Sequence, residues 1–133
     1  NEYLGKLTGE LVESLQSPDL NLQLKTEVDS VLLDVDQAVP VGLIINELIC
    51  NAVKYAFPDQ RIGELSVNLS REGNLIRLVV SDNGVGLEEK IQEKGVSPFG
   101  LKLVNLLAEK LNANMNVETR NGTRFTFTFA QKS

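Results

Sequence analysis

The chain has 133 residues, a formal net charge of −5 and 42% hydrophobic residues, which is the size and composition of one soluble globular domain. It contains no histidine, which excludes Ser-His-Asp hydrolases, zinc enzymes with histidine ligands and acid–base catalysis by imidazole. Its single cysteine, Cys50, excludes an internal disulfide and fits a reducing compartment. The acidic balance argues against general binding to nucleic acid.

The charge is distributed unevenly along the chain. Residues 1–60 carry ten acidic and three basic side chains, whereas residues 61–133 carry eight and ten. An anionic ligand is therefore expected to bind against the second half. The longest uncharged apolar stretch, residues 38–45, is too short for a membrane span, and no signal peptide opens the chain. The sequence predicts a cytoplasmic domain without direct membrane contact, whose parent protein is either soluble or membrane-anchored.

The first half of the chain is predicted to contain two helices with one or two short strands between them. Leucine and valine at helical spacing predict an amphipathic helix over residues 3–15. Alternation of apolar and polar side chains in residues 22–28, followed by the apolar residues 31–35, predicts either a pair of short strands or one strand with a bend. The second helix is expected to begin with Asp36 as its N-cap, to hold Pro40 in its first turn and to end at Ala56.

The second half is predicted to contain a hairpin, a loop, a helix and a second hairpin. The first hairpin spans residues 65–80, and its second strand is mostly apolar, as expected of a central strand. A helix follows over residues 99–111, and the last strand, residues 123–129, directs three phenylalanines to one face. This order predicts an α+β fold, a two-layer α/β sandwich in which about three helices pack on one face of a mixed, mostly antiparallel sheet.

The polar side chains of the second predicted helix share one narrow stripe. At about 100° per residue, Asn51 lies about 40° and Lys54 about 20° to either side of Glu47. A carboxylate on a largely buried helix is costly unless it is paired, hydrated or functional. One interpretation is a contact among the three side chains over solvent. The other is a site in which carboxylate and amide oxygen face a hydrated metal and the ammonium faces an anion.

Three glycine-containing segments suit a nucleotide but also suit ordinary turns. Asp82 ends a buried strand, where a carboxylate can accept a hydrogen bond from the exocyclic amine of adenine. Gly84 and Gly86 follow it and permit close approach of the backbone to a flat or phosphate-bearing ligand. Gly100 opens a helix, whose free N–H groups and dipole favour phosphate. Residues 122–123 open the last strand, and simple turns explain each of these segments taken alone.

Taken together, the order and spacing of these segments resemble the catalytic ATP-binding domain of sensor histidine kinases. That domain has the Bergerat fold, shared with gyrase, the heat-shock chaperone and the mismatch-repair ATPases. Residues 46–57 resemble the N box of this superfamily, 82–87 its first glycine box, 99–104 its second and 122–127 its terminal strand. The similarity covers residues 20–130.

The resemblance implies a role for each matching residue. Asn51 would ligate Mg²⁺, Glu47 would polarise a water or the attacking imidazole, and Lys54 would neutralise phosphate. Asp82 would accept from the adenine amino group, and Thr123 would support Asp82 or a water at the adenine. The backbone would approach the nucleotide at Gly84, Gly86, Gly100 and Leu101, the last two presenting amides to phosphate, and residues 88–97 would form a lid.

The resemblance also implies a domain organisation and a reaction. Residues 21–133 would be the catalytic domain and residues 1–20 a junction helix toward a dimerisation domain that carries the phosphoacceptor histidine. The domain, monomeric by itself, would bind Mg²⁺-ATP and transfer the γ-phosphoryl group to that histidine, starting a phosphorelay to a response regulator. The second glycine box keeps only Gly100, which favours one alternative, a nucleotide-gated interaction module without phosphotransfer. A serine kinase of the anti-sigma-factor type is the other alternative.

Overall fold

A computed structural model describes residues 22–28, 31, 33–52, 63–83, 98–119 and 122–131. They form five strands and two helices: β1 Leu22–Val28, α1 Val35–Asn51, β2 Gly63–Glu72, β3 Leu75–Asp82, α2 Pro98–Lys110, β4 Asn114–Glu118 and β5 Thr123–Ala130. The predicted α+β class is confirmed. The expected count of about three helices is slightly off, because two helices lie in the described ranges and the segment predicted as the other, residues 3–15, lies outside them.

The strands form one mixed sheet in the order β1-β2-β3-β5-β4. β1 pairs in parallel with β2, and every other neighbouring pair is antiparallel. The parallel pair requires a crossover connection, and α1 lies within it. β3 is central, as its apolar sequence predicts, and Gly73, with φ 61°, makes the tight turn between β2 and β3.

One face of the sheet forms the core with the two helices. In β2, β3 and β5 every second side chain is buried, and these side chains join those of α1 and α2 in one cluster. The three phenylalanines of β5 (Phe125, Phe127 and Phe129) point into it, as predicted. The other face carries mostly polar side chains, so the molecule has the two predicted layers. Within the described ranges, neither helix combines the length and hydrophobicity that a membrane span requires.

The start of α1 differs from the prediction. Asp34, not Asp36, is the N-cap, and its side chain accepts a hydrogen bond from the backbone N–H of Gln37 (3.1 Å). The cap places Val35 inside the helix, and residues 31, 33 and 34, the other described residues of the predicted second short strand, are not in a strand. Pro40 is the sixth helical residue rather than part of the first turn. The described helix ends at Asn51 with Ala52 as its C-cap, and residues 53–56 of the predicted extension lie outside the described residues.

α2 ends in a turn that reverses the chain within three residues. Asn112 has a left-handed backbone (φ 54°), and its N–H donates to the Glu109 carbonyl at 2.9 Å. The N–H of Ala113 donates to the carbonyl of Ala108, also at 2.9 Å. These two bonds are those of a Schellman motif, in which an asparagine here takes the position usually held by glycine. Because β4 begins immediately afterwards, α2 runs antiparallel to β4.

Candidate functional site

α1 extends along the sheet from one end to the other. Its start is anchored where Gln37 Nε2 donates to the carbonyl oxygen of Ala130, the last residue of β5 (2.8 Å). Its 17 residues span about 25 Å, and the eight residues of β5 span about 26 Å. As the crossover between parallel strands, α1 runs opposite to β1, β2 and β5. Glu47 and Asn51, in its last turns, therefore lie where β3 ends and β5 begins. We call the end of the sheet where β3 ends and β5 begins the site end, and we call the opposite end of the sheet the closed end.

The first turn of α2 lies at the site end as well. β4 finishes at Glu118, which pairs with Arg124 near the start of β5, and α2 runs antiparallel to β4. Gly100 is the third residue of α2, so its N–H has no acceptor within the helix. Leu101 is the fourth residue and lies at the end of this first turn. Both α1 and α2 pack on the same sheet face and against each other. The site end thus combines one helix C-terminus with one helix N-terminus.

Asp82 and Thr123 face each other across adjacent strands at this end. They are register partners on β3 and β5, so their Cβ atoms lie about 5 Å apart. Both occupy the alternate positions that point toward the helices, in line with Val80 and Phe125. Asp82 is half-buried, whereas Thr123 is only 2% exposed. The pair therefore presents a carboxylate beside a buried hydroxyl.

Two buried polar atoms near the site end have no hydrogen-bond partner among the described residues. They are Oγ1 of Thr123 and Nδ2 of Asn51. A buried polar atom left unpaired costs about 1–3 kcal/mol. Each such atom in a native structure calls for an explanation, and an absent water or ligand is the common one. Glu47, one helical turn before Asn51, is half-buried and provides a carboxylate on the same stripe, as predicted.

The backbone that carries Asp82 is closely packed on its β5 side. Gly122 has φ 109°, a conformation that favours glycine, and a Cβ at this position would collide with the Asp82 carbonyl oxygen and lie 3.0 Å from Asn83 Cα. Gly122 is thus required by contact with β3 as well as by its own turn. Sequence reasoning assigned this glycine only to a turn, because the contact depends on how β3 and β5 pair.

A second contact holds the same backbone on its β2 side, and sequence reasoning missed it entirely. The N–H of Asn83 donates to the Glu64 carbonyl (3.2 Å), and Asn83 Oδ1 accepts from the Glu64 N–H (2.9 Å). The Asp-Asn-Gly sequence predicts only a turn. Glu64 is 19 positions away in the chain, so only the pairing of β2 with β3 reveals this exchange.

The donor set at the site end fits a magnesium ion held together with a nucleotide. The amide oxygen of Asn51 is a hard oxygen ligand, and Mg²⁺ in nucleotide sites keeps several waters and takes one or two protein oxygens beside the phosphates. Across the described ranges there is no group of three or more His, Cys, Asp or Glu side chains that could form an all-protein metal cage.

A cavity of about 490 Å³ lies at the same end, against the same strands. Its wall includes Lys25, Ser66, Ser81 and Arg124, whose side chains point away from the helices. These four residues are register partners across β1, β2, β3 and β5. Leu65, Asp82 and Thr123, whose side chains alternate toward the helices, also line this cavity. The cavity therefore includes residues of both sheet faces at the site end.

The structure brings six of the nine predicted site residues to one end of the sheet: Glu47, Asn51, Asp82, Thr123, Gly100 and Leu101. The other three, Lys54, Gly84 and Gly86, lie outside the described residues, as does the predicted lid, residues 88–97. The six that are described come from α1, α2, β3 and β5. Their convergence depends on the antiparallel courses of the two helices.

Comparison with known proteins gives a family and several relatives. The model of the histidine kinase-, DNA gyrase B-, and HSP90-like ATPase family matches residues 36–133. Blue-light-activated histidine kinase 2 of Erythrobacter litoralis is 31% identical over 123 residues, which are 90% of this chain and 35% of that protein. Sensor histidine kinase PdtaS of Mycobacterium tuberculosis is 28% identical over 98 residues, 73% of this chain and 20% of that protein. The chain thus spans about a third and a fifth of these two relatives.

A solved structure has the same fold. The histidine kinase domain of the Erythrobacter litoralis EL346 blue-light activated histidine kinase superposes with a TM-score of 0.84, covering 98% of this chain and 60% of that chain at 24% identity. The two-layer architecture and the order of its elements are therefore those of a known histidine kinase domain.

Proposed function

The chain belongs to the family of histidine kinase-, DNA gyrase B- and HSP90-like ATPases. We propose that it is the ATP-binding catalytic domain of a sensor histidine kinase, and that it binds Mg²⁺-ATP and transfers the γ-phosphoryl group to a histidine on a separate dimerisation domain. The observation that carries the nucleotide site is the pairing of Asp82 with Thr123, whose buried hydroxyl has no partner among the described residues. A polar ligand at this point would satisfy both groups.

We propose that the adenine base binds against this pair. Asp82 accepts a hydrogen bond from the exocyclic amino group, and the carboxylate makes the bond charge-assisted and therefore strong. Thr123 Oγ1 bonds either to Asp82 or to a water beside the base. Because Leu65 is the partner of Asp82 on β2 and is 2% exposed, the base edge meets one polar strip bounded by apolar core.

The phosphates extend from the base toward the helix termini. Asn51 supplies an amide oxygen to Mg²⁺, which when bound neutralises charge on the phosphate oxygens. The backbone N–H groups at the start of α2, including those of Gly100 and Leu101, face the negative charge with the positive end of the helix dipole. Lys54, Gly84 and Gly86, which lie outside the described residues, complete the proposed set through charge and close backbone approach.

The acceptor histidine belongs to another part of the parent protein. The chain has no histidine, so it cannot carry the phosphorylated residue itself. The two curated relatives are several times longer than the region they share with this chain, which leaves room for an acceptor domain in proteins of this kind. Residues 1–20 would be the junction to that domain. The phosphorylated histidine would then donate its phosphoryl group to a response regulator.

Transfer in this arrangement depends on positioning and charge neutralisation. The acceptor imidazole nitrogen attacks the γ-phosphorus, a nitrogen–phosphorus bond forms, and the bond from the γ-phosphorus to the β,γ-bridging oxygen breaks, which releases ADP. Glu47 orients the imidazole and takes up the proton that the ring nitrogen loses. Its place on the stripe of Asn51 puts the carboxylate beside the phosphate end of the site.

The reaction is tested with the purified domain, ATP labelled at the γ-phosphate and a histidine-bearing dimerisation domain of the parent protein. We expect Mg²⁺-dependent label on the acceptor that acid removes and alkali does not, as for phosphohistidine. Glu47→Gln should retain ATP affinity within about twofold and reduce the transfer rate by about 100-fold, the lower end of the range for acid–base groups.

Four outcomes, one from calorimetry and three from the transfer experiment, would contradict all or part of the proposal. Absence of calorimetric heat at millimolar nucleotide would rule out the site altogether. Nucleotide binding without transfer would favour a nucleotide-gated interaction module. Acid-stable label on a serine would indicate a kinase of the anti-sigma-factor type, and unchanged transfer by Glu47→Gln would remove the role of that carboxylate.

A further inference from the structure

Asn83 closes the strand pair immediately beyond Asp82, and we infer that it is a positioning residue that sets adenine selectivity. The inference rests on the proposed function, because it concerns the carboxylate that recognises the base. Asn83 is exposed and follows the last residue of β3. Its two bonds to Glu64 are the observation that carries the inference.

The geometry of these bonds is unusual for a sheet. Glu64 and Asn83 are the next pair in the register of β2 and β3, one step beyond Leu65 and Asp82. In a regular antiparallel ladder the two residues of a hydrogen-bonded pair exchange backbone bonds in both directions. Here the Asn83 N–H donates to the Glu64 carbonyl, but the Glu64 N–H donates to the side-chain oxygen of Asn83. The amide side chain replaces the backbone carbonyl.

This replacement lets the backbone leave the sheet directly after Asp82 while the strand pair stays closed. Without the side-chain acceptor, the Glu64 N–H would lose its partner and the last bond of the pair would fray, as strand ends do. On the β2 side, the residue next to Asp82 would then keep only the bond from the Asn83 N–H to the Glu64 carbonyl. On the β5 side Gly122 packs against the Asp82 carbonyl, so the two contacts together fix the backbone of the carboxylate from both directions.

The test compares the affinities for ADP and for inosine diphosphate, which has a keto oxygen in place of the adenine amino group. Wild-type protein should bind ADP about 10- to 100-fold more tightly. Asn83→Ala should reduce the affinity for ADP about fivefold and that for inosine diphosphate less than twofold. The reason is that only the hydrogen bond to the adenine amino group depends on the position of the Asp82 carboxylate. Asn83→Asp retains the acceptor oxygen and should restore the ratio of the two affinities.

A matched control lies on the same sheet. Asn68 Nδ2 donates to Glu27 Oε2 across β1 and β2 at 3.2 Å, an exposed bond made by the same type of side chain. Asn68→Ala should leave both affinities and their ratio unchanged. If Asn83→Ala is too unstable to assay, Asn83→Ser, whose side chain is too short to span to Glu64, reports the same ratio.

The outcomes separate this inference from the proposed function. Wild-type protein that binds neither diphosphate, or binds both equally, contradicts the proposed site itself. A wild-type preference for ADP that Asn83→Ala leaves intact overturns the inference alone. An equal loss for both diphosphates also overturns it, because it would show that Asn83 only supports the fold.

Discussion

The two ends of the sheet treat buried polar groups in opposite ways. At the closed end, Gln37 is 2% exposed and its side chain donates to the Ala130 carbonyl. At the site end, Thr123 is also 2% exposed, yet its hydroxyl has no partner in the part of the chain that the structure describes. Gln37 and Thr123 are the two polar residues that are fully buried within the described ranges. Gln37 therefore connects a helix to the sheet, whereas we propose that the Thr123 hydroxyl serves a ligand.

The same contrast appears in the backbone. The closed end contains the side-chain cap of α1, the Schellman turn after α2 and a bond from the Gln131 N–H to the Asn74 carbonyl (2.7 Å). The last turns of α1 and the first turn of α2 both lie at the site end, where we propose that the ligand binds. Stability and ligand binding are thus expected to be separable by substitutions at the two ends.

Asp82→Asn should have the largest effect and act on binding. Loss of a charge-assisted hydrogen bond of about 3 kcal/mol weakens ADP about 100-fold. Calorimetric titration measures the affinity, and thermal unfolding of the ligand-free variant should show a change of less than about 0.5 kcal/mol. Asp36→Asn, which removes the same charge in the first turn of α1, is the control and should bind normally. Equal losses of affinity and stability from Asp82→Asn would make Asp82 a turn residue only.

Gln37→Leu should have the next largest effect and act on stability. The variant keeps much of the side-chain volume but loses the donor to Ala130, so the free energy of unfolding should fall by about 1–2 kcal/mol. Urea unfolding measures the loss, with the slope of the transition unchanged. ADP affinity of the folded variant should stay within twofold. A loss of affinity as large as that of Asp82→Asn would show that the two ends are not independent.

Thr123→Val should have the smallest effect and move stability and binding in opposite directions. The two side chains have nearly the same shape, and valine removes a buried hydroxyl that has no partner among the described residues. Unfolding of the ligand-free protein should be unchanged or require up to about 1 kcal/mol more. ADP affinity should fall three- to tenfold. A clear destabilisation of the ligand-free protein would mean that the hydroxyl already serves the fold.

Local sequence predicts most of the strands and helices, and it also predicts which face of each one is buried. Alternation in β2, β3 and β5 and the helical spacing of α2 depend on side chains a few positions apart, which is why their prediction is confirmed. The start of α1 was predicted less well, since Asp34 and Asp36 are both good caps and only the finished structure shows which one accepts from Gln37. The helix at residues 3–15 and the extension of α1 to Ala56 stay predictions.

The candidate residues themselves were also evident from sequence, because carboxylate, amide and glycine chemistry is a property of the residue type. Their arrangement was not. The pairing of Asp82 with Thr123, the clash that makes Gly122 necessary and the exchange between Asn83 and Glu64 all join residues that are distant in the chain. The sequence by itself determined which groups the domain offers to a nucleotide. Strand register and helix direction, which arise only when the core packs, decided that these groups meet at one end of the sheet and that the opposite end is closed.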